Sequence, residues 1–435
     1  MIIGLFNTLS SQRLVKNKMF VLWIMLGIVL LGLLLRLHEA SLWNNSQPNS
    51  PDRLYGDEPG YDSLARDLLQ GYVFTWPGRV PLYPVWLAGM YLFISGSYNV
   101  VPYVQSLLGV TVIPLTYALG RRVFGQVAGL MAASLAAISY ILIRQALPLM
   151  SEILYTPVIL LAVIALWDAL HKPTARRFCW VGFWIGISDL VRPTLLFFPL
   201  AVVIVLVIAL GKRKALRYWS VFVLVVTLVI TPWMLRNYVR YQAVFPLAIS
   251  NAFLWQGSPE YYHLIRDHGY TYMQIWDEVI TGPGNEGHPP MTIEGDRYWT
   301  KRALRSIVAE PLVYFKYAAE KLGTYWVGDP NADWADTYVF NYHALRLKGY
   351  SYWYVIQIMI ARALPIVALL ASLVVWCRWR ILLPIYALLA YCTLLHAATH
   401  AEARLSEPLQ PFLLIIIAGA TTKVWAAATR VGGTQ

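Results

Sequence analysis

The residues best suited to chemistry lie early in the chain, in Tyr55-Gly-Asp-Glu-Pro-Gly-Tyr61-Asp62. Asp57 follows a glycine and precedes Glu58-Pro59, which places it at or just before a helix start, with Pro59 near the first helical position. A carboxylate so placed either caps its helix or faces a cavity, where it can take a proton from a hydroxyl within about 2.6–3.2 Å. Glu58 falls in the first turn, where the helix dipole favours negative charge whether or not a ligand is touched. Downstream, Gly78-Arg79-Val-Pro-Leu-Tyr83-Pro84 adds a guanidinium, a group suited to phosphate. Further ionisable groups are scattered along the chain: Arg144, Glu152, Asp189, Arg192, Arg236, His400, Glu402 and Arg404. Asp57, Glu58 and Glu152 are of the type that holds a divalent ion, but no His/Cys spacing suggests zinc, and no metal is expected.

What must position these groups follows from composition. Hydrophobic residues make up 58% of the 435-residue chain and charged residues 13%, with a mean hydropathy of +0.52. Soluble domains carry about 25% charged residues. The expected class is an all-α polytopic membrane protein of about ten helices. Apolar stretches of spanning length run at roughly 19–38, 100–120, 126–147, 152–170, 193–210, 216–236, 352–376, 379–397 and 408–427, with a shorter one at 178–190. The first follows Arg13, Lys16 and Lys18 and lacks a small-residue cleavage site, so it reads as a retained anchor. Cys179, Cys377 and Cys392 lie in or beside apolar segments without paired spacing, and read as buried small hydrophobes.

Charge sets the orientation. The clusters Arg121-Arg122, Lys172/Arg176/Arg177, Lys212-Arg213-Lys214 with Arg217, and Arg378/Arg380 belong in the cytoplasm. With the N-terminus inside, all are cytoplasmic only if Leu82–Gly96, short and proline-flanked, lies on the outer leaflet as an interfacial helix. Ten spans in the plasma (inner) membrane result, with both termini cytoplasmic and Asp168 the only acidic residue on that side. The net charge of +12 then reports orientation, and nucleic acid is not an expected partner. The chain divides into 1–236 (seven spans and a first outer loop, 39–99), a large outer loop region 237–351 with an amphipathic helical pattern around 296–322, and 352–435 (three spans).

Polar groups cost about 2.5–3.5 kcal/mol each at a span centre, so their collection at outer helix ends marks a cavity at the outer surface. Arg362, deeper in its span, reads as salt-bridged or snorkelling, and His396 as a core histidine. Trp255, Tyr261 and Tyr262 in the large loop either line an acceptor groove or serve as core or headgroup anchors.

Together these motifs resemble the GT-C glycosyltransferases, and more narrowly the dolichyl-phosphate-mannose protein mannosyltransferase-like group (glycosyltransferase family 39), whose bacterial members include the aminoarabinose transferase. Asp57-Glu58 after the first span, Tyr61 and Arg79-x-Pro-x-Tyr83-Pro84 carry the resemblance first. Ala118-Leu-Gly-Arg-Arg-Val-Phe-Gly125 and Met150-Ser-Glu-Ile-Leu-Tyr-Thr156 follow. Thr231-Pro-Trp-Met-Leu-Arg-Asn237 with Pro246 and Asn251, then Glu402-Ala-Arg404 with Pro408 and Pro411, complete the order. Most of the chain is covered, with the weakest similarity over about 260–350.

The resemblance implies a GT-C fold and transfer of a sugar from a polyprenyl-phosphate donor to an acceptor hydroxyl on the periplasmic or exterior side. One inverting displacement, without metal or other cofactor, is implied. Asp57 would be the general base, Glu58 would orient it or bind the acceptor, and Glu152 would be the second acidic residue. Arg79, Arg404 and His400 would meet the donor phosphate, which leaves as an anion and needs cations more than a general acid. Tyr61, Tyr83, Arg192 and Arg236 are candidates for substrate binding. Implied partners are the lipid-linked donor, membrane lipids and a glycan, lipid or protein acceptor. Two alternatives stand beside this: an oligosaccharyltransferase or O-antigen ligase with a larger lipid-linked donor, and a transporter or flippase of lipid-linked sugars. Transporters usually carry internal repeats and broken helices meeting at mid-membrane, and neither is visible in the sequence.

Overall fold

A computed structural model describes residues 18–72, 74, 76–245, 247–249, 252–328 and 352–432. Arg13, Lys16, Pro246 and Asn251, named above, fall outside the described residues, as does the end of the large loop region, 329–351. All regular elements among the described residues are helical.

The chain opens with α1 (Lys18–Asn45), followed by α2 (Glu58–Leu69), α3 (Leu82–Ile94), α4 (Val101–Gly109) and α5 (Val112–Phe124). Next come α6 (Gln126–Ile138), the short α7 (Tyr140–Arg144), α8 (Glu152–His171), α9 (Ala175–Val191), α10 (Phe198–Leu210) and α11 (Lys212–Tyr241). The large loop region contributes α12 (Pro259–Arg266), α13 (Ile293–Ala309) and α14 (Pro311–Val327), and the chain closes with α15 (Tyr352–Val374), α16 (Trp379–Ala398) and α17 (Gln410–Gly432).

Seven helical stretches among the described residues are long and apolar enough to cross a membrane, where ten spans were expected: 18–45, 101–124, 152–171, 212–241, 355–374, 376–398 and 403–429. The chain is a multi-pass membrane protein. α3, α6 and α10 are apolar but shorter. The expected span 126–147 is interrupted because Ser139 leaves helical geometry (φ −64°, ψ 115°) between α6 and α7. Pro193 opens a separate 3-10 turn, and α10 begins only at Phe198. The amphipathic pattern at 296–322 is two helices, since Pro311 has no N–H to continue α13 and starts α14 instead. Cys377, expected to be buried, is exposed, while Cys392 is buried.

Packing explains how the ends of these helices are held. The main core joins α5, α8, α9, α11, α16 and α17 through residues such as Leu119, Leu160, Phe178, Phe222, Leu388 and Phe412. Gly182 and Gly186 let α9 lie directly on α11: a Cβ at Gly182 would come within 2.6 Å of the Phe222 carbonyl oxygen. Small residues four apart permit such close approach of helices in lipid. A second core, of Tyr61, Tyr83, Leu87 and Tyr91 with Leu149 and Met150, fixes α2 and α3 against the start of α8. Asp62 serves this fold: its carboxylate accepts from the Tyr91 and Tyr98 hydroxyls at 2.6 and 2.8 Å and pairs with Arg66 at 2.9 Å.

Candidate active site

Asp57 occupies the N-cap position of α2, yet its side chain makes no capping hydrogen bond. Gly56, at φ +60°, supplies the left-handed turn before it. The carboxylate turns instead to two guanidiniums: Arg79 donates to Oδ1 in a short contact, and Arg404 Nη2 donates to Oδ2 at 3.0 Å. Arg79 comes from the loop between α2 and α3, and Arg404 from a 3-10 turn at Ala403–Leu409 that leads into α17. Three segments far apart in sequence thus meet at one carboxylate, which remains about 35% exposed.

Arg404 is the hub. Its guanidinium lies 3.6 Å from Glu152 Oε1 and 3.6 Å from Glu402 Oε2, besides contacting Asp57. Glu152, at the first turn of α8, also pairs with Arg192 at 2.7 Å. Glu402 hydrogen-bonds His400, whose carbonyl oxygen meets Nδ1 of His396 at 3.0 Å. Arg79 is held over the rings of Tyr61 and Trp76 at 4.7 and 4.9 Å. Tyr61 in turn donates to Ser151 Oγ at 3.3 Å. Three carboxylates (Asp57, Glu152, Glu402) therefore face three guanidiniums (Arg79, Arg192, Arg404), with His400 at the edge.

Charge balance sets the protonation states outside the spans. Burial would raise the Asp57 carboxyl, but the charges and hydrogen bonds of Arg79 and Arg404 outweigh it and hold it well below the usual carboxylate range. Burial likewise opposes Glu402, and His400 and Arg404 overcome it. Glu58 behaves oppositely. Burial pushes its carboxyl up to about 8, against a backbone N–H from Leu149 and the charge of Arg53. The buried carboxyl therefore keeps its proton to higher pH than a free glutamate does.

That state has a thermodynamic signature. Between an unfolded value of about 4.3 and the folded value, the native protein holds a proton that the unfolded chain has released, so stability falls as pH rises through this window. Glu58→Gln mimics the neutral acid and is expected to remove that part of the slope. Thermal midpoints of both proteins at pH 5, 6.5 and 8 check it, and parallel pH profiles would show that Glu58 does not bind this proton.

The structure does not bring every sequence candidate to the cluster. Tyr83 is fully buried, donating to Gln105 at 2.9 Å with its ring against Tyr61. Arg236 donates to the Phe74 carbonyl in a short contact and to Asn237 Oδ1 at 3.0 Å, away from the cluster. Arg362, expected to be salt-bridged or snorkelling, is buried beside Glu407 at 3.5 Å and lines a cavity together with Glu152 and Arg404. Trp255, Tyr261 and Tyr262 are buried in the packing of the large loop region. A residue absent from the sequence reading is Tyr272: burial raises its phenol, Glu402 and Asp57 raise it further, and Arg404 opposes, which places it beside the ionic cluster. Its ring lies 6.5 Å from that of His400, and Phe253 stacks on His400 at 5.3 Å. No local motif marks either aromatic. Among the described residues no three His, Cys, Asp or Glu side chains converge as a bound metal ion would require.

Comparison with known proteins bears on this arrangement. Residues 79–235 match the family model for dolichyl-phosphate-mannose-protein mannosyltransferases. The match takes in Arg79, Tyr83, Glu152 and Arg192 and ends one residue before Arg236; Asp57, Glu58, Tyr61, His400 and Arg404 lie outside it. No curated protein matches the chain by sequence. Among solved structures, the chain is similar to the archaeal oligosaccharyltransferase AglB from Archaeoglobus fulgidus, in complex with an inhibitory peptide and a dolichol-phosphate. The TM-score is 0.54 at 14% identity, covering 96% of this chain and 52% of that one. The apo form of the Archaeoglobus fulgidus oligosaccharyltransferase gives 0.51 at 16% identity, with 94% and 51% covered. ArnT from Cupriavidus metallidurans bound to undecaprenyl phosphate gives 0.41 at 15% identity, with 89% and 77% covered. The chain spans about half the length of the archaeal enzymes, and the likeness to them is one of fold alone. Over residues 79–235, about a third of its length, the chain is similar to the dolichyl-phosphate-mannose-protein mannosyltransferase family.

Proposed function

We propose that the protein transfers a sugar from a polyprenyl-phosphate donor to an acceptor hydroxyl at the outer membrane surface, with Asp57 as general base. The observation that carries this reading is the sharing of one partly exposed carboxylate between Arg79 and Arg404. The two arginines neutralise Asp57. A donor phosphate competes for the same guanidiniums and, on binding, draws them away from the carboxylate. Asp57 then regains basicity at the moment an acceptor hydroxyl needs to lose its proton. The hydroxyl oxygen attacks the anomeric carbon, the bond to phosphate breaks on the opposite face, and the configuration inverts. Polyprenyl phosphate leaves with the bonding electrons, stabilised by Arg79 and Arg404. Glu152 and Glu402 hold the Arg404 fork in place, and Arg192 balances Glu152. Orientation with both termini in the cytoplasm follows from the basic clusters and belongs to the same proposal.

The test uses purified protein in nanodiscs with a panel of polyprenyl-phosphate monosaccharides, a lipid-linked oligosaccharide and candidate acceptors. Release of polyprenyl phosphate from a monosaccharide donor without any ion gradient is the expected result. Consumption of the oligosaccharide alone would move the protein to the oligosaccharyltransferase reading. Movement of intact lipid-linked sugar between leaflets, without cleavage, would make it a transporter.

A further inference from the structure

A helix in an aqueous outer region should turn its apolar side toward the protein, and α14 does the reverse. Leu312, Phe315 and Leu322 are 83%, 67% and 40% exposed. Their spacing of three and seven residues sets them on one face, with exposed Lys316 at its edge reaching over the Tyr262 ring at 5.2 Å, as a lysine at a membrane boundary does. The opposite face carries Tyr314, Lys321 and Tyr325, of which Lys321 and Tyr325 are buried. The polar atoms of that face are spent on the bundle. Tyr314 donates to the Ala398 carbonyl at 2.9 Å, Lys321 Nζ to the Thr399 carbonyl at 2.6 Å, and Tyr325 to the Leu405 carbonyl at 3.3 Å.

The partners also set a depth. Trp326 Nε1 donates to Thr393 Oγ1 at 3.1 Å, so α14 runs from the end of α16 at Ala398 down to Thr393 inside a stretch apolar enough to cross a membrane. The ring of Tyr325 stacks on His396 between these points, at 4.9 Å. Polar groups toward protein and apolar groups outward is the arrangement that lipid demands, since bilayer chains offer no hydrogen bonds and no penalty for apolar contact.

We propose that α14 is seated in the membrane, with its Leu312–Phe315–Leu322 face against the acyl chains of the leaflet on the Asp57 side. Its inner face then grips the segment that carries His400, Glu402 and Arg404, through the carbonyls of Thr399 and Leu405 on either side of it. The large loop region between α11 and α15 is therefore not wholly aqueous, and the lipid itself takes part in holding that segment. Continuity with α16 is the argument for lipid as the occupant: a helix bound along the flank of a span shares its surroundings. The inference stands apart from the reaction proposed above, and its test needs no turnover.

Nitroxide labels are placed on single cysteines, Leu312→Cys, Phe315→Cys and Leu322→Cys, with Lys301→Cys on exposed α13 as the aqueous reference. Cys179, Cys377 and Cys392 are replaced by alanine, and the full chain is held in nanodiscs. Collision with oxygen is expected to exceed collision with a water-soluble nickel chelate at 312, 315 and 322, and the reverse at 301. Dominant nickel access at the three sites would place α14 in water and overturn the inference. Weak collision with both reagents would mean that protein covers the face, and overturns it equally. If cysteine at 315 disturbs folding, benzoylphenylalanine at that position keeps the aromatic ring. On irradiation in native membranes it is expected to yield a lipid adduct; an adduct to protein, or no adduct at all, refutes lipid contact.

Discussion

Asp57→Asn is expected to lower kcat at least a hundredfold while tightening the binding of polyprenyl phosphate. A positioned general base contributes roughly 10²–10⁴-fold, and asparagine keeps the shape of the side chain without its proton affinity. The tightening follows from the ion pairs. On the proposed reading the donor phosphate displaces a carboxylate from Arg79 and Arg404 in the wild type, a competition that the variant removes. The two effects together separate a catalytic role from a helix cap, since loss of a cap weakens the fold and has no reason to strengthen anion binding. The pH dependence sharpens the point. A base must be deprotonated, so activity is lost as pH falls through its pKa. With Asp57 held low by Arg79 and Arg404, kcat/KM is expected to keep its plateau down into acid, whereas kcat, which reports the donor complex, is expected to fall at higher pH. Titration calorimetry with polyprenyl phosphate and single-turnover rates measure both arms. Unchanged turnover in Asp57→Asn would take the base away from this residue.

How much of this was legible beforehand depended on what each residue advertises locally. Hydropathy and the basic clusters identified a multi-pass helical protein, because lipid imposes composition over whole segments. Span number was less legible: Ser139 breaks a helix without proline or glycine, so 126–147 read as continuous. Asp57, Arg79, Glu152 and Arg404 were visible as polar groups that lipid would not tolerate without reason, and the structure places them in contact. Their pairing was not visible, since Asp57 and Arg404 are separated by 347 residues and only the folded bundle closes that distance. Tyr83 looked like a substrate contact because it sits in the same motif as Arg79, yet the fold spends it on Gln105. Trp255, Tyr261 and Tyr262 were left between two readings, because an aromatic run has the same composition whether it packs a core or lines a groove; their burial fits the core. Tyr272 and Lys321 gave no signal at all. Each acquires its meaning from a backbone or charge brought in from the end of α16, and nothing within ten residues of either announces it.

The other large effect is expected at Arg404, where one side chain serves three carboxylates. Arg404→Met removes the cation 3.0 Å from Asp57 and 3.6 Å from Glu152 and Glu402 while keeping apolar volume. Breaking a buried pair from one side costs about 3–5 kcal/mol, because the partner charge stays behind without compensation. The loss should depend on pH with a definite sign. Without Arg404 the carboxyls of Asp57 and Glu402 rise toward or above their unfolded values, so the variant is least impaired in acid and becomes progressively less stable as pH rises from about 4 to 8. Donor affinity should fall as well, since a hydrogen bond to a charged group is worth about 1.5–3 kcal/mol, roughly ten- to a hundredfold in Kd for polyprenyl phosphate. Arg404→Lys separates the two losses: an ammonium restores charge and much of the thermal midpoint, but not the fork that reaches several oxygens at once. The double variant Asp57→Asn/Arg404→Met should lose less stability than the sum of the single changes, because the two side chains share one interaction. Thermal midpoints at three pH values and phosphate-lipid binding decide the matter. If Arg404→Met matches the wild type in both, the three-carboxylate hub does not hold the site together, and the donor phosphate must be met by Arg79 without it.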